Sequence, residues 1–245
     1  MNTKFFLAIT TINLVVVGIS ASPSRAAETT IEQMPAKLET QFAQSALPPE
    51  MRDKATVYLL DPAKGYQRSL QGTSGVTCLV SRTEWDQADF RNDIYVPFCY
   101  DAEGSKTFLK VIMDVATLRV QGMSPVALKA EIVKRYKNRT YKAPEKSGLS
   151  YMAAPIMRTW MPDGNVHTMP MPHLMFYAPN ITNDDIGAVP ASSSNFSPFV
   201  IKDGVAEQSY IIHLVGESEK AKILADEKGL LAALCTYRAS LCLPH

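Results

Sequence analysis

What the sequence lacks excludes several classes of protein. It has almost no excess of charge of either sign, with 25 Lys and Arg against 24 Asp and Glu over 245 residues. A strongly basic nucleic-acid binder and a chain with an acidic tail are therefore excluded. Glycine and proline number 12 and 16, an ordinary usage that rules out collagen-like and low-complexity chains. Only one long apolar run occurs, which excludes a multispanning membrane protein.

Catalytic motifs are missing as well. The sequence contains no Gly-x-Ser-x-Gly, Ser-x-x-Lys, His-Glu-x-x-His or Walker pattern, and no dinucleotide-binding signature. The stretch at residues 72–75 is too short to cradle phosphate and predicts a tight turn. The sequence therefore gives no positive reason to predict an enzyme.

The one apolar run lies at the N-terminus and predicts a signal peptide over residues 1–26. Lys4 gives a positive start, residues 5–19 are mostly apolar, and Ser24-Arg25-Ala26 is a small-x-small cleavage site. The run is short for a membrane anchor and is not followed by flanking charge. No cysteine precedes Cys78, which excludes a lipid-modified cysteine at the cleavage site. We therefore expect a soluble protein without a stable membrane anchor, either periplasmic or secreted.

Cleavage after residue 26 changes the charge balance only slightly. The loss of Lys4 and Arg25 leaves 23 basic against 24 acidic residues. This near-neutral chain offers no electrostatic reason to expect nucleic acid or anionic lipid as a partner. The partner itself is unknown at this stage.

Four cysteines predict disulfide bonds: Cys78, Cys99, Cys235 and Cys242. An even number in an oxidising compartment is typical of a disulfide framework, and four cysteines allow three connectivities. Proximity in sequence favours Cys78–Cys99 and Cys235–Cys242. A zinc site would need close Cys-x-x-Cys or Cys/His pairs, which the chain does not have.

The remaining pattern predicts an α+β fold, in which antiparallel strands pack against a helical hairpin. We expect a mobile or helical segment over residues 27–46, loosely attached, and one disulfide-stapled domain over residues 47–245. Strand-sized runs separated by Gly and Pro predict an antiparallel meander, and apolar residues at helical spacing then predict two helices joined by a short turn. The predicted strands are 55–60, 66–70, 76–81, 149–154, 173–178, 199–202 and 210–215; the predicted helices are 49–54, 105–121, 124–138 and 217–238.

Two stretches carry a resemblance to known proteins. Gly72-Thr73-Ser74-Gly75-Val76-Thr77-Cys78 and Pro172-His173-Leu174-Met175-Phe176-Tyr177-Ala178-Pro179 resemble a family of uncharacterised exported bacterial proteins with no assigned activity. The resemblance runs from about residue 47 to residue 215. It implies export and a compact domain, and it assigns no functional residue.

A methionine- and histidine-rich stretch is the most specific candidate for a binding site. Five residues recur at every second position, so that in one extended strand all five side chains could project to the same side. Thioether and imidazole ligands together suit Cu(I), which predicts a soft-metal site. The alternative is that methionines fill core gaps and that the second histidine bonds a backbone carbonyl. The five residues are His167, Met169, Met171, His173 and Met175.

A hydrolase is the other alternative. Asp184 or Asp185 could act as a general acid or base near His173. The same carboxylates fit the first turn of a short helix with Thr182 or Asn183 as its N-cap, and this is the commoner use of such a cluster. Taken together, the sequence favours an exported binding or accessory protein that is not an enzyme. Cu(I) binding and hydrolysis stay open as alternatives.

Overall fold

The computed structural model describes residues 31–82, 91–161, 163–188, 197–202 and 205–243. The predicted signal peptide lies outside these ranges. The described residues form an eight-stranded, mainly antiparallel sheet and a separate two-stranded sheet, together with helices. In chain order the strands are β1 (Thr56–Asp61), β2 (Gly65–Leu70), β3 (Thr77–Ser81), β4 (Val96–Tyr100), β5 (Leu149–Met152), β6 (Met157–Trp160), β7 (Val166–Met169), β8 (His173–Tyr177), β9 (Phe199–Lys202) and β10 (Ser209–Leu214).

The helices lie before, between and after these strands. Their bounds are α1 (Ala36–Gln44), α2 (Pro49–Arg52), α3 (Ala102–Lys106), α4 (Phe108–Val120), α5 (Pro125–Lys137), α6 (Glu217–Asp226) and α7 (Lys228–Tyr237). The large sheet has the strand order β2-β1-β3-β4-β5-β8-β10-β9, and β6 pairs with β7 in the small sheet. Among the described helices, none is both long and apolar enough to cross a membrane.

The first three strands do not form the predicted meander. β1 and β2 form an antiparallel hairpin, but β3 pairs with β1 in parallel. The loop at residues 71–75 runs past the start of β1, where Lys54 O accepts hydrogen bonds from Thr73 N at 2.9 Å and Ser74 N at 3.0 Å. A Cβ on Gly72 would overlap the backbone of Lys54 and the residue after it. Because only glycine allows this close crossing, the loop carries the chain to the other edge of β1.

The sheet separates two buried clusters, because alternate residues of a strand point to opposite faces. The first-face cluster is covered by α1 and α7, with Phe42 and Ala43 of α1 fully buried. A helix was one of the two alternatives predicted for residues 27–46, and α1 lies within that range. The expected loose attachment is wrong, because α1 packs into the core of the first face. Strand residues of this cluster are Val57, Leu59, Cys78, Val80 and Cys99.

The second-face cluster is covered by α4. Phe108, Leu109 and Ala116 of α4 pack against the sheet, while Ile112 and Met113 are half-buried. Asp101 caps α3 by accepting hydrogen bonds from the backbone amides of Glu103 and Gly104. A break at Thr107 separates α3 from α4 where one helix was predicted. Buried strand residues of this cluster are Leu60, Tyr66, Leu79, Phe98, Tyr100, Met152, Met157, Tyr177, Tyr210 and Ile212.

Helix α5 begins and packs as its sequence predicts locally. Ser124 is the N-cap, accepting a hydrogen bond from Ala127 N, and proline occupies the first helical position. Leu128, Ile132 and Tyr136 are buried. They form a third cluster with residues of α4 and with Tyr141.

Near the C-terminus the structure divides the single helix predicted over residues 217–238. Helix α6 ends at Asp226 and α7 begins at Lys228, with Glu227 at φ −98° and ψ 18° between them. In α7, Leu234 is fully buried against the first face, whereas α6 buries no residue. The helix is interrupted here because α7 packs against α1, whereas α6 has no comparable helix surface to cover.

Both cysteine pairs are joined as sequence proximity favours. Cys78 lies directly opposite Cys99 in the β3–β4 pairing, with 4.0 Å between the Cα atoms. Cys235 near the end of α7 is bonded to Cys242, with a Cα separation of 4.4 Å. The first bond therefore cross-links β3 and β4 near the centre of the large sheet, and the second closes the turn after α7.

Candidate functional site

His173 begins β8 and is nearly inaccessible, with 3% of its surface exposed. Its Nδ1 lies 2.7 Å from the carbonyl oxygen of Met171. A carbonyl oxygen only accepts hydrogen bonds, so Nδ1 must carry a proton. Burial lowers the pKa of the His173 ring, which keeps the ring neutral and leaves Nε2 with a free lone pair. This is the ring orientation that metal-binding histidines usually have.

The structure divides the five predicted metal ligands between two sheets. His167 and Met169 belong to β7 of the small sheet, and His173 and Met175 belong to β8 of the large sheet. Met171 lies in the short link between these strands. One extended strand over all five residues, as the spacing suggested, is therefore not what forms, because the prolines at 170 and 172 interrupt the ladder.

Three of the five residues share a surface and one does not. The side chains of Met169, Met171 and Met175 are partly buried against the second-face cluster. His167 is exposed instead, and its Nε2 lies 2.7 Å from Asp163 Oδ2. The structure thus places His173 near methionines but directs His167 to a surface carboxylate.

Two methionines outside the predicted set occupy neighbouring positions. Met152 lies directly opposite His173 in the β5–β8 pairing, and Met157 lies opposite Met169 in the β6–β7 pairing. Both are 7% exposed and belong to the second-face cluster. Met152 falls in a strand predicted from sequence, but its register against β8 could not be read from that pattern.

The carboxylates of the hydrolase alternative lie in an exposed turn. Asp184 and Asp185 begin a short 3₁₀ helix, and Asp185 Oδ2 accepts hydrogen bonds from Thr182 N at 2.8 Å and Thr182 Oγ1 at 2.7 Å. These bonds lower the pKa of Asp185. These carboxylates therefore cap their own turn, which is the commoner use described above. His173 Nδ1 is hydrogen-bonded to the carbonyl oxygen of Met171 and not to either carboxylate.

A groove of about 350 Å³ lies between α1, α2 and the start of α7. Its charged groups are paired with each other, since Arg52 and Glu227 lie 2.6 Å apart. Arg52 also donates from Nε to Leu47 O at 2.9 Å. The groove is on the side of the sheet opposite to His173, and it is lined by Gln41, Gln44, Arg52, Glu227, Gly229 and Leu230.

Glu39 is a second buried ionisable group. It is 2% exposed, and its Oε1 accepts a hydrogen bond from Leu60 N at 2.9 Å. Burial raises its pKa to about 7, partly offset by this hydrogen bond and by the charge of Arg82. Arg82 is itself buried and donates to the carbonyl oxygen of Ile94 at 2.9 Å. Both groups are bonded to backbone atoms, which gives them a structural role.

Within the described ranges, no group of three or more His, Cys, Asp or Glu side chains could hold a metal ion. No family model matches the chain, and no curated protein or solved structure is significantly similar to it. The candidate site is consequently argued from its own residues.

Proposed function

We propose that this chain is an exported, non-catalytic binding protein, and that the ligand its geometry supports best is Cu(I). The observation that carries the proposal is the arrangement of His173. Its neutral ring is held by Met171 O with Nε2 unprotonated, in a buried surface rich in methionine. Soft thioether and imidazole ligands favour Cu(I) over harder cations.

Export to the periplasm or to the medium is part of this proposal. Two supports are the N-terminal sequence, with its apolar run and cleavage site, and the two disulfide bonds. Disulfides persist in oxidising compartments and are rare in the cytosol.

We also propose that α4 and α5 act together as a helical hairpin covering the second face of the sheet. Support comes from α4, which contributes residues to the second-face cluster and also to the cluster that it shares with α5. The hairpin would then protect the methionine-rich surface from solvent on one side.

Copper titration tests the binding proposal. The oxidised protein is titrated anaerobically with Cu(I), with ascorbate as reductant and bicinchoninate as the competing chromophoric chelator. We expect one equivalent to bind more tightly than about 1 µM. Replacing Met169, Met171 and His173 together should abolish that binding. Weaker binding by the unaltered protein, or unchanged affinity in the triple variant, would contradict the proposal.

A further inference from the structure

We propose that the Cu(I) ligands are Met152, His173 and Met175, so that Met152 on β5 takes the place that the sequence pattern gives to His167. This inference rests on the proposed copper binding and specifies its site. The three residues are called the methionine corner below. Its members come from two strands that are far apart in sequence and adjacent in the sheet.

Strand register brings the methionine corner together. Met152 and His173 are direct partners in the antiparallel β5–β8 pair, and Met175 follows His173 by two residues. Directly opposed residues and residues two apart on a strand project to the same face. All three side chains therefore lie on the second face, where Met152 and Met175 contribute to the same apolar cluster.

The hydrogen bond of His173 is suited to this arrangement. Met171 O fixes Nδ1, so the ring has a single free nitrogen, Nε2, for a ligand. The ring lies on the same face of the sheet as both thioethers. Two sulfur atoms and one nitrogen atom form a soft donor set of the kind that selects Cu(I).

A buried hydroxyl beside the corner is a second, independent observation. Ser150 is fully buried and lies directly opposite Met175 in the β5–β8 pair. Its Oγ has no hydrogen-bond partner within the described part of the chain. An unsatisfied buried oxygen is costly in an apolar surface. A cation bound in the corner would give this oxygen a favourable electrostatic partner.

His167 differs from His173 in its exposure, in its hydrogen bond and in the sheet to which it belongs. Its side chain is 49% exposed, and Nε2, one of its two possible ligand atoms, is occupied by Asp163 Oδ2. It also belongs to β7, in the small sheet, while the corner is built on the large one. The spacing that groups His167 with the other four residues is a property of the sequence, and the folded chain separates it.

Three variants of the oxidised full chain test the assignment in the same Cu(I) competition assay. Met152→Leu removes the thioether with little change in volume and should weaken Cu(I) binding at least about tenfold. His167→Asn should leave the affinity unchanged. Met113→Leu is the matched control, since Met113 is a half-buried methionine of the same cluster outside the corner, and it should also bind like the unaltered protein.

X-ray absorption at the copper edge gives a second measurement. The unaltered protein should show two sulfur neighbours and one nitrogen neighbour, and Met152→Leu should lose one sulfur. Circular dichroism and the unfolding temperature verify that each variant is folded.

The outcomes separate the two proposals. Unaltered protein that binds Cu(I), with a weakened Met152→Leu and an intact His167→Asn, supports the methionine corner. Binding that is unaffected by Met152→Leu, or lost in His167→Asn, overturns the corner and leaves the copper function standing. Failure of the unaltered protein to bind overturns the proposed function itself.

Discussion

At the scale of single residues, Glu39 replaces a backbone contact between two strands. The parallel β1–β3 ladder ends at Val57 and Cys78, and its continuation would join Leu60 N to Val80 O. Leu60 N instead donates to Glu39 Oε1, and Val80 O accepts from the hydroxyl of Tyr66 at 2.9 Å. Two side chains thus complete the hydrogen bonds where β1 and β3 separate.

This use of a carboxyl group predicts a pH-dependent stability. The pKa of Glu39 is about 7 in the folded chain against an ordinary value of 4.5, so the folded state favours the protonated form. The stabilisation is complete below pH 4.5 and is lost as the pH rises to about 7. Glu39→Gln keeps the acceptor without the titration. Relative to the unaltered protein, we expect it to gain about 3 kcal/mol in free energy of unfolding between pH 4 and pH 8.

Urea denaturation at both pH values measures this difference. His173 is also buried and titratable, but it is present in both proteins. Its contribution to the pH dependence of stability therefore cancels in the comparison. Equal stability differences at pH 4 and pH 8 would show that Glu39 does not titrate as its burial implies.

Gly104 is required by close packing rather than by backbone conformation. A Cβ at this position would overlap the hydroxyl of Tyr177 and the ring of Tyr100. That hydroxyl lies 2.9 Å from Asp101 Oδ1 and 2.8 Å from Leu149 O, so moving it also breaks hydrogen bonds. We expect Gly104→Ala to lower the free energy of unfolding by about 2–4 kcal/mol in denaturant titration.

A glycine in open space is the control for this prediction. A Cβ on Gly229 in α7 would meet no atom within 4 Å. Gly229→Ala should therefore stabilise the protein by about 0.5 kcal/mol, because alanine reduces the entropy of the unfolded chain. A similar effect of both substitutions would contradict the packing argument.

At the scale of elements, α5 is held by one buried stripe. Ile132 is completely buried in the cluster that α5 shares with α4, whereas Val126 on the same helix is 81% exposed. We expect Ile132→Ala to cost about 2–5 kcal/mol in free energy of unfolding and Val126→Ala less than about 0.5 kcal/mol. Thermal and chemical denaturation measure both. A loss below about 0.5 kcal/mol for Ile132→Ala would refute the hairpin packing proposed for α4 and α5.

At the scale of the whole molecule, the central disulfide links strands that carry both buried clusters. Cys78 and Cys99 are 21 residues apart, so their bond restricts a sizeable loop in the unfolded chain. Replacing both with Ala should cost about 3 kcal/mol of stability in the chain-entropy account. Cys235 and Cys242 are separated by only 7 residues, and the same pair of substitutions there should cost less.

Denaturant titration of the two double variants tests that order. Both variants lack free thiols at the altered pair, which avoids disulfide exchange between the pairs. A larger loss at the C-terminal pair would show that native packing around α7, rather than loop length, determines the effect.

Much of the local structure followed from the sequence because its causes are local. Ser124 and Pro125 predicted the start of α5, and their capping bond depends only on residues within one turn. The strands around Cys78, His173 and Tyr210 were predicted from alternation and turn residues. By contrast, β4, β6 and β7 are absent from the predicted strands. β4 contains a proline, and the four-residue runs of β6 and β7 lie among prolines and polar residues that weaken the pattern.

The sequence by itself determined which residues are apolar, where the chain turns and which cysteines are close enough to pair. Tertiary structure alone decided that β3 returns beside β1 in parallel, that α1 lies against the first face, and that Met152 faces His173. Each of these depends on contacts between segments distant along the chain, and alternation specifies the face of a strand but not its neighbour. The proposed copper site is therefore visible in sequence only as a run of methionine and histidine, and the proposal that Met152 belongs to it depends on the register of β5 against β8.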